Sequence, residues 1–303
     1  MTQDVLRPAL LKEGDNVALI SPSGPVPHDR IEAAVSVLSG WGLRPHVFPN
    51  ARGNHRYFSG LDEARLADLN TAIRDASIRA IWCLRGGYGM QRIVDDVDFA
   101  TLKADPKLVI GFSDITALHF ALWQRLRLVS VHGPVAAQFD KGADSLTARA
   151  AKHAVMSGEP VVLTVDPAEA SAPARTEGTA SGPLLGGNLS LIAASTGTQD
   201  MPSLAGTVVL LEEVDEPHYK VDRMLNHLCR AGAFEGVAGF AVGQFTNCPE
   251  AADIILDRLG HLGVPILGGL PIGHGDQHYA VPHGSMSTLD VASSTLTVSP
   301  VTG

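Results

Sequence analysis

The chain has 303 residues, of which 45% are hydrophobic and 18% charged, a composition typical of a globular protein with one large domain or two medium ones. Its 23 Lys and Arg against 32 Asp and Glu give a net charge of −9, which argues against nucleic acids and anionic membranes as partners, because both require a basic surface. No N-terminal apolar run is long enough for a signal peptide or a membrane span, and the 3 cysteines show no CxxC spacing, which favours a cytoplasmic location.

The first half of the chain alternates short apolar runs with amphipathic stretches. Strands are predicted within the segments 16–24, 44–50, 78–84, 108–110 and 128–134. Helices are predicted over the segments 30–40, 61–77 and 117–126, each with apolar residues at helical spacing. Because strands that alternate with helices form parallel βαβ units, we expect an α/β domain with helices on both faces of its sheet.

The segment 166–182 is rich in Ala, Pro, Ser, Thr and Gly and has no apolar period. We therefore expect it to link an N-terminal α/β domain, residues 1–165, to a C-terminal domain, residues 183–303. In the C-terminal part, the segment 206–215 is typical of a strand and 220–232 of a helix. Thr- and Val-rich stretches near the C-terminus predict that this second domain is richer in β-structure than the N-terminal domain.

Ser113 stands between the predicted strand that ends at Ile110 and the helix that begins at Ala117. A serine in this position lies at the carboxyl edge of a parallel sheet, where α/β proteins bind ligands, and beside the free N–H groups of a helix start. The sequence from Gly111 to Ile115 resembles a nucleophile elbow, but the fifth residue of the G-x-S-x-G pattern is Ile. Ser and Asp are also common helix N-caps, so this motif alone leaves both interpretations open.

A serine nucleophile requires a base to accept its proton and an acid to orient that base. His274 is the candidate base, because it lies between Gly273 and Gly275 on a predicted loop that follows an apolar stretch. Asp276 and His278 follow at a spacing that would suit a metal site on a strand face, but no other ligand cluster in the sequence supports one. We therefore expect neither a metal nor a cofactor.

The candidate acid is one of two consecutive glutamates, Glu212 and Glu213, at the end of the predicted strand 207–211. Side chains alternate between the two faces of a strand, so only one of the two can face the site. The resulting chain order of serine, glutamate and histidine is also the order found in α/β-hydrolases.

A glycine-rich loop runs from Arg85 to Gly89, directly after the predicted strand 78–84. It matches neither the G-x-G-x-x-G nor the Walker pattern, so it is a weak indication of a nucleotide site. Because this loop and Ser113 would lie at the same sheet edge, the backbone N–H groups of Gly87 and Asp114 are candidates for an oxyanion hole. A plain tight turn is the alternative interpretation.

Six motifs, in this order, resemble the LD-carboxypeptidase family, which includes murein tetrapeptide carboxypeptidase and the microcin C immunity peptidase. They are RGGYG from Arg85, GFSDITALH from Gly111, HGPV from His132, LLGGNLSLI from Leu184, LLEEVDEPHYKVDRML from Leu210 and PIGHG from Pro271. The resemblance extends over nearly the whole chain, and six ordered motifs are far more specific than one.

The resemblance implies a serine peptidase with the catalytic triad Ser113, Glu212 and His274 and with oxyanion donors at Gly87 and Asp114. It also implies a flavodoxin-like (Rossmann-like) parallel-sheet domain followed by a smaller β-rich domain. Members of the family are usually cytoplasmic homodimers, so a homodimer is expected here.

The implied reaction is hydrolysis of an L,D-peptide bond, in which Ser113 forms an acyl-enzyme and a C-terminal D-amino acid leaves. The implied substrate is murein tetrapeptide, which would lose D-alanine during peptidoglycan recycling. The alternative substrate is a peptidyl- or aminoacyl-nucleotide, as for the immunity peptidase, and this would require an aromatic platform for the base. A non-catalytic ligand-binding module on the same scaffold is an alternative of a different class.

A carboxypeptidase must also hold the terminal carboxylate of its substrate, and a guanidinium does this best through two parallel hydrogen bonds. Arg85, beside the glycine-rich loop, and Arg223, on the predicted helix 220–232, are candidates for this contact. Tyr88 and Asn188 are further candidates for substrate binding. For each of the four, an ordinary structural or surface role is the alternative.

Overall fold

The computed structural model describes residues 4–303, and in its first half strands and helices alternate as the apolar pattern predicts. The strands are β1 (Asn16–Ile20), β2 (Arg44–Val47), β3 (Ile78–Cys83), β4 (Leu108–Gly111), β5 (Ser130–His132) and β6 (Val161–Thr164). The helices between them are α1 (His28–Gly40), α2 (Asp62–Arg74), α3 (Phe99–Ala104), α4 (Thr116–Leu126) and α5 (Leu146–Met156).

The second half contains longer strands and only three α-helices. Its strands are β7 (Thr179–Asn188), β8 (Val208–Val214), β9 (Gly239–Thr246), β10 (Ile266–Leu267), β11 (Val281–His283), β12 (Met286–Asp290) and β13 (Thr295–Val298). Its helices are α6 (Leu189–Ser195), α7 (His218–Arg230) and α8 (Ala251–Leu259).

The first sheet has the strand order β11-β5-β4-β3-β1-β2. Strands β1 to β5 are parallel, and β11 pairs antiparallel with β5. The order 2-1-3-4-5 of the parallel strands is the flavodoxin-like order, so the predicted fold class is confirmed. In this topology the strand order reverses between β1 and β3, and ligands bind beyond the carboxyl ends of the strands at that point.

The second sheet has the order β10-β9-β8-β7-β12-β13-β6. Strands β7 to β10 are parallel, while β12, β13 and β6 are antiparallel. Strand β6 precedes the predicted linker yet belongs to this sheet, and β11 follows the linker yet belongs to the first sheet. The chain therefore crosses three times between the sheets, after β5, after β10 and after β11, and β7 begins inside the segment 166–182. The domain boundaries stay a prediction.

Burial explains the sequence pattern of the central strands. Strand β4 has a continuous apolar run because both of its faces are covered, and all of its residues are buried. Trp82 of β3 packs with Trp41 and Phe139 at ring-centroid distances of 6.0 and 5.3 Å on one side of the first sheet. These contacts hold the carboxyl end of β3, and the loops that follow β3 and β4 line the site.

Within residues 4–303, every helix is too short or too polar to cross a membrane.

Candidate active site

Ser113 lies on a sharp turn between β4 and α4. Its φ angle is 62°, in the left-handed region that non-glycine residues seldom adopt, and a short 3-10 turn over Ser113–Ile115 leads from it into α4. Such a conformation costs about 1–3 kcal/mol and persists only where the surrounding structure imposes it. This strained strand-to-helix turn has the geometry of a nucleophile elbow, although its fifth residue is Ile115.

The glycine-rich loop after β3 packs directly against this turn. A Cβ atom on Gly86 would lie 2.9 Å from Cβ and 3.1 Å from Oγ of Ser113. Only glycine therefore allows the loop to approach the serine so closely. Gly87, the next residue, has a φ of 102° and lines the same cavity as Ser113, where its N–H is predicted to be an oxyanion donor.

The buried side chain of Asp114 holds the turn in place. Its Oδ2 accepts hydrogen bonds from Ser23 Oγ at 2.5 Å and from Met90 N at 2.8 Å, which connect the loops after β1 and β3. Burial raises the pKa of Asp114 above 3.8, and these two hydrogen bonds oppose the rise. The side chain of Asp114 therefore binds the neighbouring loops, and only its backbone N–H is a candidate for substrate contact.

His274 lies on the loop after β10, and its Nδ1 is 2.6 Å from Oε2 of Glu212. Glu212, at the end of β8, is fully buried, whereas the His274 side chain is 18% exposed. Gly273 has a φ of 131°, and a Cβ atom there would lie 2.9 Å from Glu212 Oε2. A glycine is therefore required to bring the histidine loop close to the carboxylate.

The electrostatics of His274 are dominated by two opposing effects. Burial lowers its pKa, but the charge of Glu212 and the hydrogen bond to it, with smaller contributions from the charges of Glu213 and Asp215, more than compensate, so the pKa is raised above 6.5. A hydrogen bond to Nδ1 also fixes the tautomer of the neutral ring and leaves Nε2 as the proton acceptor. This pair can therefore hold a base ready to accept a proton.

Glu213 faces the other way and supports the start of α6. Its carboxylate accepts hydrogen bonds from Asn188 Nδ2 at 2.9 Å, from Ser190 N at 2.8 Å and from Ser190 Oγ at 2.6 Å. Burial raises the pKa of Glu213, and these hydrogen bonds oppose the rise. The alternation of the strand thus separates the two glutamates, and only Glu212 contacts His274.

Ser113 and His274 line one cavity of about 600 Å³ at the carboxyl edge of the first sheet. Within residues 4–303, no hydrogen bond joins the two side chains. Hydrogen bonds between catalytic groups are often long in ligand-free enzymes and shorten when substrate binds. The other lining residues are Pro27, Arg30, Arg85, Gly86, Gly87, Phe112, Val135, Ala137, Gln138 and Val214.

The four predicted substrate-binding residues are placed very differently. Arg85 lines the cavity. Tyr88 is 47% exposed beside Tyr57, at a ring-centroid distance of 6.0 Å. Asn188 is buried, with its amide bound to Glu213, and Arg223 lies on the exposed surface of α7 over the ring of Tyr219. The predicted roles of Tyr88, Asn188 and Arg223 in substrate binding are thus not supported by a position on this cavity.

No sequence motif predicted that two polar residues, Arg30 and Gln138, lie on the cavity wall. Arg30 lies in the first turn of α1, and Gln138 lies in a 3-10 turn after β5. Neither belongs to a motif with unusual composition. The only available signal was that both follow the carboxyl ends of parallel strands, where α/β ligand sites form.

Fully buried histidines lie behind the cavity wall. The ring of Phe112 separates them from His274, with ring centroids 4.5 Å from His274, 4.4 Å from His278 and 5.9 Å from His132. Burial lowers the pKa of His278 to about 3 and that of His132 well below 6.5, with a smaller contribution from neighbouring histidines. These rings are therefore neutral at physiological pH.

Two further buried histidines continue this group. His119 is bound to Ser130 Oγ at 2.7 Å and to the Gly111 carbonyl oxygen at 2.8 Å, and it stacks on His283 at a centroid distance of 5.3 Å. Burial lowers the pKa of His119 to about 4 and that of His283 well below 6.5. In the described part of the chain, no three His, Cys, Asp or Glu side chains are arranged to hold a metal ion.

Two family models match the chain, the LD-carboxypeptidase N-terminal domain over residues 17–133 and the LD-carboxypeptidase C-terminal domain over residues 181–289. The chain belongs to the LD-carboxypeptidase family. The family resemblance predicted from six motifs is thus confirmed, and the chain is a peptidase by family.

Relatives of this LD-carboxypeptidase family member cover nearly its full length. The chain is 38% identical to a carboxypeptidase-named protein of Streptomyces coelicolor, over 98% of this chain and 97% of that protein. It is 33% identical to murein tetrapeptide carboxypeptidase of Pseudomonas aeruginosa, over 90% of this chain and 92% of that protein. The crystal structure of muramoyltetrapeptide carboxypeptidase from Oxalobacter formigenes has a TM-score of 0.82 at 26% identity, covering 94% of this chain and 98% of that chain.

Proposed function

We propose that this protein is a serine LD-carboxypeptidase that releases D-alanine from murein tetrapeptide in peptidoglycan recycling. The observation that carries the proposal is the arrangement of the cavity: strained Ser113 shares it with His274, which is hydrogen-bonded to buried Glu212. The relative named murein tetrapeptide carboxypeptidase supports the choice of substrate.

In the proposed first step, neutral His274 accepts the Ser113 proton at Nε2 while Ser113 Oγ attacks the carbonyl carbon of the L-configured residue. The tetrahedral intermediate collapses when His274 returns this proton to the leaving amine, so the C–N bond breaks and D-alanine departs. Water then attacks the acyl-enzyme with His274 again as base, which releases the shortened peptide and restores Ser113.

The oxyanion of each tetrahedral intermediate is proposed to accept hydrogen bonds from the backbone N–H groups of Gly87 and Asp114. Gly87 lies on the loop that packs against Ser113, and Asp114 N follows the serine directly at the start of the helical turn. Loss of one such donor costs about 3–4 kcal/mol of transition-state stabilisation. Glu212 orients His274 and stabilises the imidazolium that forms.

We also propose that the enzyme is a cytoplasmic homodimer. Size-exclusion chromatography with light scattering on the full chain tests the dimer, and a mass of one protomer at micromolar concentration contradicts it. Fractionation of the source cells tests the location.

The decisive test is incubation of the full chain with UDP-MurNAc-tetrapeptide, followed by mass spectrometry. We expect loss of one alanine with the wild type and no loss with Ser113→Ala, whereas Ser203→Ala, at an exposed serine, is expected to act like the wild type. Turnover by Ser113→Ala would contradict the proposed nucleophile. Failure to cleave this peptide, together with cleavage of an aminoacyl-sulfamoyl-adenosine, would contradict the proposed substrate.

A further inference from the structure

The cavity that contains Ser113 has a charge opposite to that of the whole chain. The chain has a net charge of −9, yet the cavity is lined by two arginines, Arg30 and Arg85, and by no Asp or Glu among the described residues. A cleft lined by charges of one sign concentrates ligands of the other sign. The cavity therefore favours an anionic group of the substrate.

Arg85 is the better placed of the two to bind that anion. Its Nη1 donates to the Pro25 carbonyl oxygen at 2.7 Å, and no carboxylate within residues 4–303 lies within ion-pair distance of it. The Arg85 side chain is exposed, and the Pro25 contact orients its guanidinium while its other N–H donors stay free. A guanidinium held in this way can offer two parallel hydrogen bonds to a carboxylate.

Arg30 adds a second positive charge from α1. Its Nη2 lies 3.4 Å from Asp140 Oδ2, and the two side chains are 47% and 39% exposed. Such an exposed pair contributes little, so Arg30 can turn towards an anion in the cavity at small cost. We therefore expect Arg30 to assist Arg85.

A second cavity that His274 also lines has the opposite charge. This second cavity, of about 570 Å³, is lined by His274 together with the acidic residues Asp166, Glu169 and Asp276. An anionic chain end is attracted to the arginine cavity and repelled from this one. The charge distribution around His274 therefore sets the direction in which a peptide with one free carboxylate binds.

We propose that Arg85, assisted by Arg30, binds the C-terminal carboxylate of the substrate and so makes this enzyme an exopeptidase. This inference rests on the proposed function, because it assigns the D-amino acid side of the scissile bond to the arginine cavity. Consecutive Cα atoms are about 3.8 Å apart, so the terminal carboxylate must lie within one residue of the scissile carbonyl. Arg85 fits this requirement because it directly precedes the Gly86–Gly87 loop at Ser113.

Binding to the Ser113→Ala variant of the full chain tests the proposal without turnover. Calorimetry would compare murein tetrapeptide that has a free C-terminal carboxylate with the same peptide as its C-terminal amide. Adding Arg85→Ala is expected to raise Kd for the acid about 10- to 100-fold and to change Kd for the amide less than about twofold. Arg30→Ala is expected to have a smaller effect of the same kind, and Arg52→Ala, in an exposed ion pair with Glu32, to have none.

Kinetics with Ser113 intact provide a second readout. Arg85→Ala is expected to raise KM for the acid more than it lowers kcat, and Arg85→Lys to restore part of the loss. Equal affinity of Ser113→Ala for acid and amide, no binding of either, or equal weakening of both by Arg85→Ala would overturn the proposal. If the acid is preferred through Arg85 but the wild type does not release D-alanine, the carboxylate site stands and the proposed function fails.

Discussion

Ser113 and Gly86 pack closely against each other in the candidate site. Ser113 keeps a left-handed φ of 62°, and the loop after β3 packs against it where any Cβ on Gly86 would be too close. The strained serine and the glycine loop are thus one unit: the glycine makes room for the turn, and the turn brings Ser113 into the cavity.

Gly86→Ala is expected to impair catalysis while the fold persists. Gly86 does not have a positive φ, so the added methyl group acts through its clash with the turn, with Ser113 first and with the Phe112 carbonyl oxygen at 3.2 Å. We expect kcat/KM for tetrapeptide to fall about 100-fold, since small displacements of a reacting group have effects of this size. Gly158→Ala is the matched control, because a Cβ there meets nothing within 4 Å. Equal activity of the two variants would contradict the close packing of Gly86 against Ser113.

Glu212→Gln is expected to change both the rate and its pH dependence. The raised pKa of His274 implies that kcat/KM of the wild type falls as the pH drops through a value above 6.5, because only neutral His274 accepts the serine proton. Without the carboxylate, burial dominates and lowers that pKa, so the acidic limb moves to lower pH. We also expect kcat/KM at its plateau to fall about 10²- to 10⁴-fold.

The pH–rate profile of Glu213→Gln is the control for this experiment. Glu213 makes no hydrogen bond to His274. The acidic limb of the Glu213→Gln profile is therefore expected to shift less than that of the Glu212→Gln profile. A larger shift for Glu213→Gln would reverse the assignment of the two glutamates.

At the level of elements, the carboxyl end of β8 serves two purposes. Period-two alternation directs Glu212 towards His274 and Glu213 towards the start of α6. The same strand end thereby orients the candidate base and anchors α6. Asn188, at the end of β7, completes this anchor, since its side chain caps α6 and also donates to Glu213.

Glu213→Ala is expected to reduce stability more than any surface glutamate would. The substitution leaves the Asn188 amide and the N–H and hydroxyl groups of Ser190 without their shared acceptor. We expect the free energy of unfolding to fall by about 2–4 kcal/mol in urea titrations. Glu177→Ala, at an exposed position, should change it by less than about 0.5 kcal/mol. Equal effects would contradict the anchoring role.

At the level of the whole molecule, the buried histidines lie where the two sheets meet. His119 of α4 and His132 of β5 belong to the first half of the chain, whereas His278 and His283 come from the second. His283 Nε2 accepts a hydrogen bond from Gly186 N of β7 at 3.3 Å. Protonation of these rings would therefore place charges in the packed contact between the sheets.

This arrangement predicts acid lability with a defined direction. Each ring has a folded-state pKa below the unfolded value of about 6.5, so the unfolded chain binds more protons and the free energy of unfolding decreases as the pH falls from about 6.5. The pKa of about 4 for His119 corresponds to a loss of about 3 kcal/mol from that residue by pH 4. Urea titrations between pH 4 and pH 7 measure this dependence.

His278→Leu is expected to flatten this pH dependence, whatever its effect on stability at pH 7. Removal of a titrating group eliminates its contribution to the slope, and His278 has a pKa of about 3 in the folded chain. His261→Leu, at an exposed histidine, should leave the slope close to that of the wild type. If both variants keep the wild-type slope, the acid lability has another origin.

Local patterns were sufficient to predict a parallel sheet and much of the candidate site. Alternating strands and helices specify a parallel sheet, and the position of Ser113 after β4 places it at the ligand edge of that sheet. The order of the family motifs predicted His274 and Glu212 as the partners of Ser113, although their position at the end of the strand allowed either Glu212 or Glu213. No sequence pattern predicted a role for Arg30 at the site, because it lies on an amphipathic helix of ordinary composition.

The sequence by itself determined which residues have the chemistry that the proposed serine mechanism needs and on which elements they lie, because strand and helix periods are local properties. Tertiary structure alone decided which glutamate meets His274, how Asn188 and Arg223 are used, and that two arginines share the cavity of Ser113. The physical reason is that these contacts join residues far apart in the chain. Their distances depend on how the two sheets pack, and no local pattern specifies that packing.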